Sequence, residues 1–127
     1  MSGLHGIHLG NAWEAEPGDA RHAPAWIRRF GLPTGIGPAD AVWLVIDAPA
    51  DGTLSLNGAA LPAVTAGTTY RALVTTLLHE RNLLVLVPRQ AVAAAAAAPG
   101  RGPLPAALGQ VRLEIVVHSA AGGGPTA

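Results

Sequence analysis

Hydrophobic and polar positions along the chain alternate or cluster at the spacing of β-strands. Continuous apolar runs occupy 42–46 (VWLVI) and 83–87 (LLVLV). Runs of this length between turn-forming residues are typical of strands buried on both faces. Residues 111–117 (VRLEIVV) alternate instead, so the odd positions form an apolar face while Arg112 and Glu114 share the opposite face. The pattern predicts a protein built of strands.

Two shorter segments extend this pattern. Residues 54–56 (LSL) precede Asn57-Gly58, a dipeptide that favours tight hairpins because both residues tolerate positive φ. Residues 26–30 (WIRRF) predict a further strand with its even positions on one face. Pro and Gly recur between the strand segments, which favours an all-β fold. We therefore expect a two-sheet jelly-roll β-sandwich of about eight antiparallel strands.

The helical signals are weak. Residues 73–78 are long enough for one turn only. The alanine-rich tract 91–98 has high helix propensity but falls short of the roughly 12 residues at which an isolated helix becomes marginal. We interpret 91–103 as a loop insertion, with a short helix over the tract as the alternative. The expected organisation is one sandwich domain over 1–119 and a disordered tail over 120–127.

Composition narrows the function classes. The length of 127 residues fits one domain, and eight Arg balance eight acidic residues, with no Lys. A net charge of zero gives no electrostatic reason to expect nucleic acid or membrane binding. The absence of Cys excludes disulfides and thiolate chemistry. No signal-like or membrane-spanning run is present, so we expect a cytoplasmic protein.

The order of the strand segments resembles the sugar-binding jelly-roll domain of glycoside hydrolase family 2, the family of β-galactosidases and β-glucuronidases. That domain runs from an aromatic–Arg–x–Phe–x–x–Pro segment through a hydrophobic strand and an Asn-Gly hairpin. An Asp-Val-Thr-x-Leu-Leu segment and a Gly-x-Asn-x-Leu-x-Val strand follow. The resemblance covers about residues 4–119. The matching segments are 26–35, 42–47, 52–58, 73–78 and 81–87.

The resemblance implies a galactose-binding-like fold and a non-catalytic recognition module with a carbohydrate partner. The chain departs from the family pattern where Ala72 replaces an aromatic residue and Leu73 replaces an aspartate. These departures favour the alternative, a protein-interaction or structural sandwich without sugar binding. In the family the catalytic carboxylates belong to a separate barrel, so we do not expect this chain to be an enzyme.

Three residues are candidates for ligand binding. Trp13 lies in a polar segment, and sugar sites commonly use an exposed aromatic ring; the alternative is that it packs against the sandwich. Glu14 follows it directly and, like Glu16, also fits a solvated turn. Arg29 lies on the predicted 26–30 strand and is either a ligand-binding or a structural residue. Trp43, inside an apolar run, is expected in the core. The other residues that the strand pattern predicts in the core are Leu44, Ile46, Leu54, Leu56, Leu84, Leu86, Leu113 and Ile115.

No other chemistry is indicated. The five His lack the spacing of a metal site, and neither a nucleophile motif nor a phosphate-binding loop is present. We expect no metal and no cofactor. Nothing in the pattern selects an oligomeric state.

Overall fold

The computed structural model describes residues 2–18, 20–21, 23–90 and 101–118. Ten strands and two short 3₁₀ turns, at Thr75–Leu77 and Ala106–Leu108, lie within these residues. The strands are β1 (Ser2–His8), β2 (Trp13–Glu16), β3 (Ala25–Gly31), β4 (Ala41–Asp47), β5 (Gly52–Leu56), β6 (Ala59–Ala60), β7 (Tyr70–Leu73), β8 (Arg81–Pro88), β9 (Arg101–Gly102) and β10 (Gln110–His118).

The strands form two antiparallel sheets. One has the order β1-β10-β4-β7 and the other the order β6-β5-β8-β3-β2-β9. The expected all-β sandwich is confirmed, with ten strands in place of about eight. The sequence pattern located five of them, namely β3, β4, β5, β8 and β10, whereas β1, β2, β6, β7 and β9 were not predicted. Of these, β6 and β9 are only two residues long and so too short to produce an alternating pattern in the sequence.

The strand registers place the predicted apolar faces together. In the four-stranded sheet Leu113 lies opposite Leu44, and in the six-stranded sheet Leu84 lies opposite both Leu56 and Arg28. The expectation that 83–87 is buried on both faces is wrong. Its even positions are buried, whereas its odd positions lie on the outer face and are partly or fully exposed.

Side chains from both sheets form one hydrophobic core, and most of the predicted core residues belong to it. Those that are buried as predicted are Leu44, Ile46, Leu54, Leu56, Leu84, Leu86, Leu113 and Ile115. Trp43 is the exception, because it pairs with Glu114 and Leu73 on the outer face of the four-stranded sheet and is only half-buried.

Two turns follow from local sequence. Asn57 and Gly58 have φ values of 53° and 84°, and they join β5 to β6 as the predicted hairpin. The 3₁₀ turn Thr75–Leu77 matches the single turn expected at 73–78. The 91–98 tract, most of the 91–103 insertion and the 120–127 tail lie outside the described residues. Within the described part, no helix has the length and apolarity to cross a bilayer.

Candidate functional site

Trp13 packs in the core. Its side chain is 1% exposed, and its indole Nε1 donates a hydrogen bond to the backbone carbonyl of Leu9. An indole buried in this way offers no face to a ligand. Trp13 therefore serves in packing, as the alternative interpretation predicted.

Glu14 and Arg29 meet on the outer face of the six-stranded sheet. Glu14 lies opposite Ile27 in the register, so Arg29 is its diagonal neighbour two positions along β3. The Glu14 carboxylate accepts a hydrogen bond from the Arg29 guanidinium and lies 3.6 Å from Nε of Arg101 on β9. One carboxylate is thus shared by two arginines, and all three side chains are at least one-third exposed.

A groove of about 550 Å³ opens beside this cluster, along the pairing of β3 with β8. In the register Arg29 lies opposite Leu83 and Gly31 lies opposite Arg81, so these four residues share the outer face. Gly31 has no side chain to fill the space between the arginines. The groove is lined by Arg29, Phe30, Gly31, Arg81, Asn82 and Leu83. It therefore combines an apolar surface with guanidinium and amide donors.

Arg81 differs from Arg29 in having no acidic partner. Within the described residues, no carboxylate lies within 4.0 Å of its guanidinium, although Glu80 precedes it in the chain. Glu80 is outside the groove lining and is held through its backbone carbonyl, which accepts a hydrogen bond of 2.9 Å from the Leu32 amide. The Arg81 donors are therefore free to bind a ligand.

A fourth arginine adds positive charge at this end of the sheet. Arg28 lies opposite Trp13 on the core side, and its Nη1 donates a 2.5 Å hydrogen bond to the backbone carbonyl of Arg29. Its Nε is buried and has no partner among the described residues. Burial lowers the pKa of Arg28, and the positive charge of Arg101 lowers it further by a smaller amount. The guanidinium stays protonated at neutral pH because the ordinary pKa of arginine lies far above neutral.

Two asparagines, which we call the amide pair, hold the groove in place. Asn82 is 3% exposed, and its Oδ1 accepts hydrogen bonds from Asn57 Nδ2 (2.9 Å) and from the His79 amide (2.8 Å). Its Nδ2 donates to the His79 carbonyl at 2.9 Å. Asn57 in turn donates to the Leu77 carbonyl and accepts from the Leu83 amide, both at 2.8 Å. The pair fixes the β5–β6 turn to the segment that leads into Arg81.

The sequence did not single out Arg81, Asn82 or Leu83 as site residues. Asn57 is predicted only as part of the Asn-Gly hairpin, and Asn82, 25 residues further on, only as a member of a family-like motif; the hydrogen bond between their side chains is not predicted. In the structure the side chains of β8 alternate, so Arg81 and Leu83 lie on the face opposite to Asn82 and Leu84, but the continuous apolar run 83–87 gives no sign of this in the sequence.

A second charged cluster covers the outer face of the four-stranded sheet. The Glu114 carboxylate accepts hydrogen bonds from Arg71 (2.7 Å) and from Arg112 (2.8 Å), while Arg112 also pairs with Asp47. Both arginines lower the pKa of Glu114, and the hydrogen bond from Arg71 has the largest effect. The Arg71 guanidinium lies 5.2 Å from the centre of the Trp43 ring. Because the cluster pairs its own charges, it has a structural role.

Two carboxylates among the described residues, Glu14 and Glu114, are each bound by two arginines. Retaining hydrolysis needs two carboxyl groups about 5 Å apart, one of them protonated as the acid. Glu114, which at 8% exposure is as buried as Asp40, is held in its charged form by two arginines and is therefore not the protonated group. Nor does any group of three His, Asp or Glu in the described ranges have the geometry to hold a metal ion.

Comparison with known proteins gives the class of fold. No protein-family model matches the chain, and neither does any curated protein. Among solved structures, an FMN-binding β-glucuronidase from Facaelibacterium prausnitzii L2-6 matches 88% of this chain with 18% identity and a TM-score of 0.60. A β-glucuronidase from an uncultured Clostridium sp. matches 90% with 14% identity and a TM-score of 0.54.

These matches define the chain as a β-sandwich domain of the kind found within β-glucuronidase structures. It corresponds to only 22% of the first neighbour and 29% of the second. At such identities the likeness extends to the fold, which agrees with the resemblance in the order of the sequence motifs.

Proposed function

We propose that this chain is a non-catalytic recognition domain that binds carbohydrate in the groove between β3 and β8. The observation that supports the proposal is the combination of donors and apolar surface in that groove. Arg29 and Arg81 provide guanidinium donors, and the exposed side of Leu83 provides a surface for the C–H groups of a sugar ring. Sugar hydroxyls need such donors because they lose bound water on binding.

The proposal that the domain is not an enzyme rests on its carboxylates. Glu14 is shared by Arg29 and Arg101, and Glu114 is shared by Arg71 and Arg112. Arg71 and Arg112 lower the pKa of Glu114, so this carboxylate stays ionised and makes a poor general acid. Glu14 is already engaged by its two arginine partners. Purified protein assayed on aryl glycosides between about pH 4 and 8 is expected to show no turnover. Turnover abolished by Glu14→Gln would contradict this.

A protein-interaction role is the second candidate, and one surface favours it. Leu4 and Leu73 are 62% and 54% exposed on the outer face of the four-stranded sheet, on either side of the half-buried Trp43. Exposed apolar side chains around an aromatic ring and arginines are the usual composition of protein interfaces.

A pair of leucine variants separates the two candidates. Leu83→Asp places a carboxylate beside Arg29 and Arg81, where it would compete with a ligand. Leu73→Asp makes the same change on the other sheet. A glycan array followed by NMR titration is expected to show saccharide binding that Leu83→Asp removes and Leu73→Asp retains. If no saccharide binds, or if Leu83→Asp leaves binding unchanged, the carbohydrate proposal is wrong.

A further inference from the structure

We propose that the saccharide bound in the β3–β8 groove carries an acidic group, either a carboxylate or a sulfate ester. This inference rests on the proposed carbohydrate function and adds the chemical class of the ligand. Its basis is the charge at this end of the six-stranded sheet, in a chain whose net charge is zero.

The charge at the groove is strongly unbalanced. Arg29 and Arg81 line the groove, and Arg101 adjoins Arg29 through the Glu14 carboxylate that both bind. Within the described residues, Glu14 is the only carboxylate that forms an ion pair with any of these three arginines. The lining itself holds two guanidiniums and no acidic side chain. A neutral ligand would leave this positive charge uncompensated, and an anionic group would reduce the mutual repulsion of the arginines.

The arrangement of the donors fits an anion better than a hydroxyl. A guanidinium presents its N–H groups in a planar fork that matches the two oxygens of a carboxylate or sulfate. Arg81 has no acidic partner in the described chain, so its fork is available without breaking an existing ion pair. Arg29 already binds Glu14, so we assign to it a contribution to the positive electrostatic potential of the groove.

The outer face next to the arginines indicates where the remainder of the ligand lies. Ile27 and Val85 are opposite each other in the register and adjoin the Arg29–Leu83 pair. Both are partly exposed. An acidic group bound at Arg81 would direct the rest of the saccharide along this apolar strip. The structure thus assigns Arg81 to the acidic group and Leu83 to the apolar side of the sugar ring.

Matched ligand pairs test the inference. The probes are methyl glucuronide against methyl glucoside, and galactose 6-sulfate against galactose, each titrated at neutral pH by NMR or calorimetry. In at least one pair the acidic member is expected to bind about fivefold more tightly, which is the upper end for an exposed ion pair. The pair that shows the preference identifies carboxylate or sulfate as the group. Ionic strength of about 1 M, where the Debye length is about 3 Å, should abolish the preference.

Arg81→Gln and Arg89→Gln provide matched variants. Both remove one exposed arginine of the β8 region, at opposite ends of the strand, and Arg89 is outside this groove. The acidic preference should vanish in Arg81→Gln and persist in Arg89→Gln. If both members of each pair bind equally, or if Arg81→Gln retains the preference, this inference is wrong while the carbohydrate function stands. If no member of any pair binds, the proposed function fails as well.

Discussion

Replacing Asn82 by aspartate tests whether the amide pair holds the groove together. The substitution keeps the size and the acceptor oxygen that binds Asn57 and the His79 amide. It replaces the NH₂ group by a second oxygen, which would face the His79 carbonyl at about 2.9 Å and the Phe30 carbonyl at about 3.4 Å. Two acceptors then meet where a donor and an acceptor met before.

The cost can be worked from these contacts. The bond to His79 is well formed and contributes about 1 kcal/mol, whereas the 3.4 Å contact contributes little. A buried acceptor left without a donor adds about 1–3 kcal/mol. Since Asn82 is 3% exposed, water cannot replace the lost donor without a rearrangement. We expect Asn82→Asp to lower the free energy of unfolding by about 2–4 kcal/mol at pH 7.

The pH dependence of this loss gives a sharper test. Burial among carbonyl oxygens raises the folded-state pKa of the introduced carboxyl above its unfolded value of about 3.9. The loss should therefore be small below that pH, where the protonated carboxyl can donate to His79, and grow as the pH rises towards the folded-state pKa. Asn82→Ala removes the same donor without adding a charge, so its loss should show no such pH dependence.

Urea denaturation of the wild type and both variants from about pH 3.5 to 7.5 measures these differences. A loss below about 1 kcal/mol at pH 7 would show that the amide pair does not hold this region. Equal pH profiles for the two variants would refute the buried-carboxyl argument.

Two further substitutions test other contacts. Glu114→Gln is expected to cost about 1–3 kcal/mol at pH 7, because it removes the charge shared by Arg71 and Arg112. The wild-type pKa of Glu114 is lowered by those arginines, so this advantage should be lost as pH falls below about 4.5; a pH-independent difference would contradict the account. Gly109→Ala should cost at least about 2 kcal/mol in thermal melts, since φ is 94° and a Cβ atom would lie 2.4 Å from the Asp47 carbonyl oxygen. An unchanged melting temperature would show that the backbone relaxes there.

The alternating segments predicted the fold because their polar positions show which face of the strand points outwards. In 111–117 the polar pair Arg112 and Glu114 marks the outer face, and the structure pairs this strand with β1 and β4 accordingly. A continuous apolar run carries no such mark. For that reason 42–46 and 83–87 were correctly predicted as strands, while their outer faces were not identified.

The site was less predictable because its contacts join distant positions. Glu14 and Arg29, both predicted as ligand-binding residues, are 15 positions apart and meet only through the register of β2 with β3. Arg29 and Arg81 are brought to one groove by the pairing of β3 with β8, which is equally long-range. The pattern of hydrophobic and polar residues within one segment does not show which distant strand it pairs with. The role of Glu14 and Arg29 in ligand binding stays a prediction.

Substitution of the tryptophans in β3 and β4 tests which face of each strand is buried in the core. Trp26 is 7% exposed on the core side, so Trp26→Ala should cost about 3–5 kcal/mol. Trp43 lies half-buried on the outer face, where it contacts water and the Arg71 guanidinium. Its cation–π contact and partial burial together amount to about 1–2 kcal/mol. Urea denaturation of Trp43→Ala and Trp26→Ala, with m-values checked for equality, should separate the two losses by at least about 1 kcal/mol. Equal losses would mean that the outer face of the four-stranded sheet is covered in solution and that Trp43 is a core residue after all.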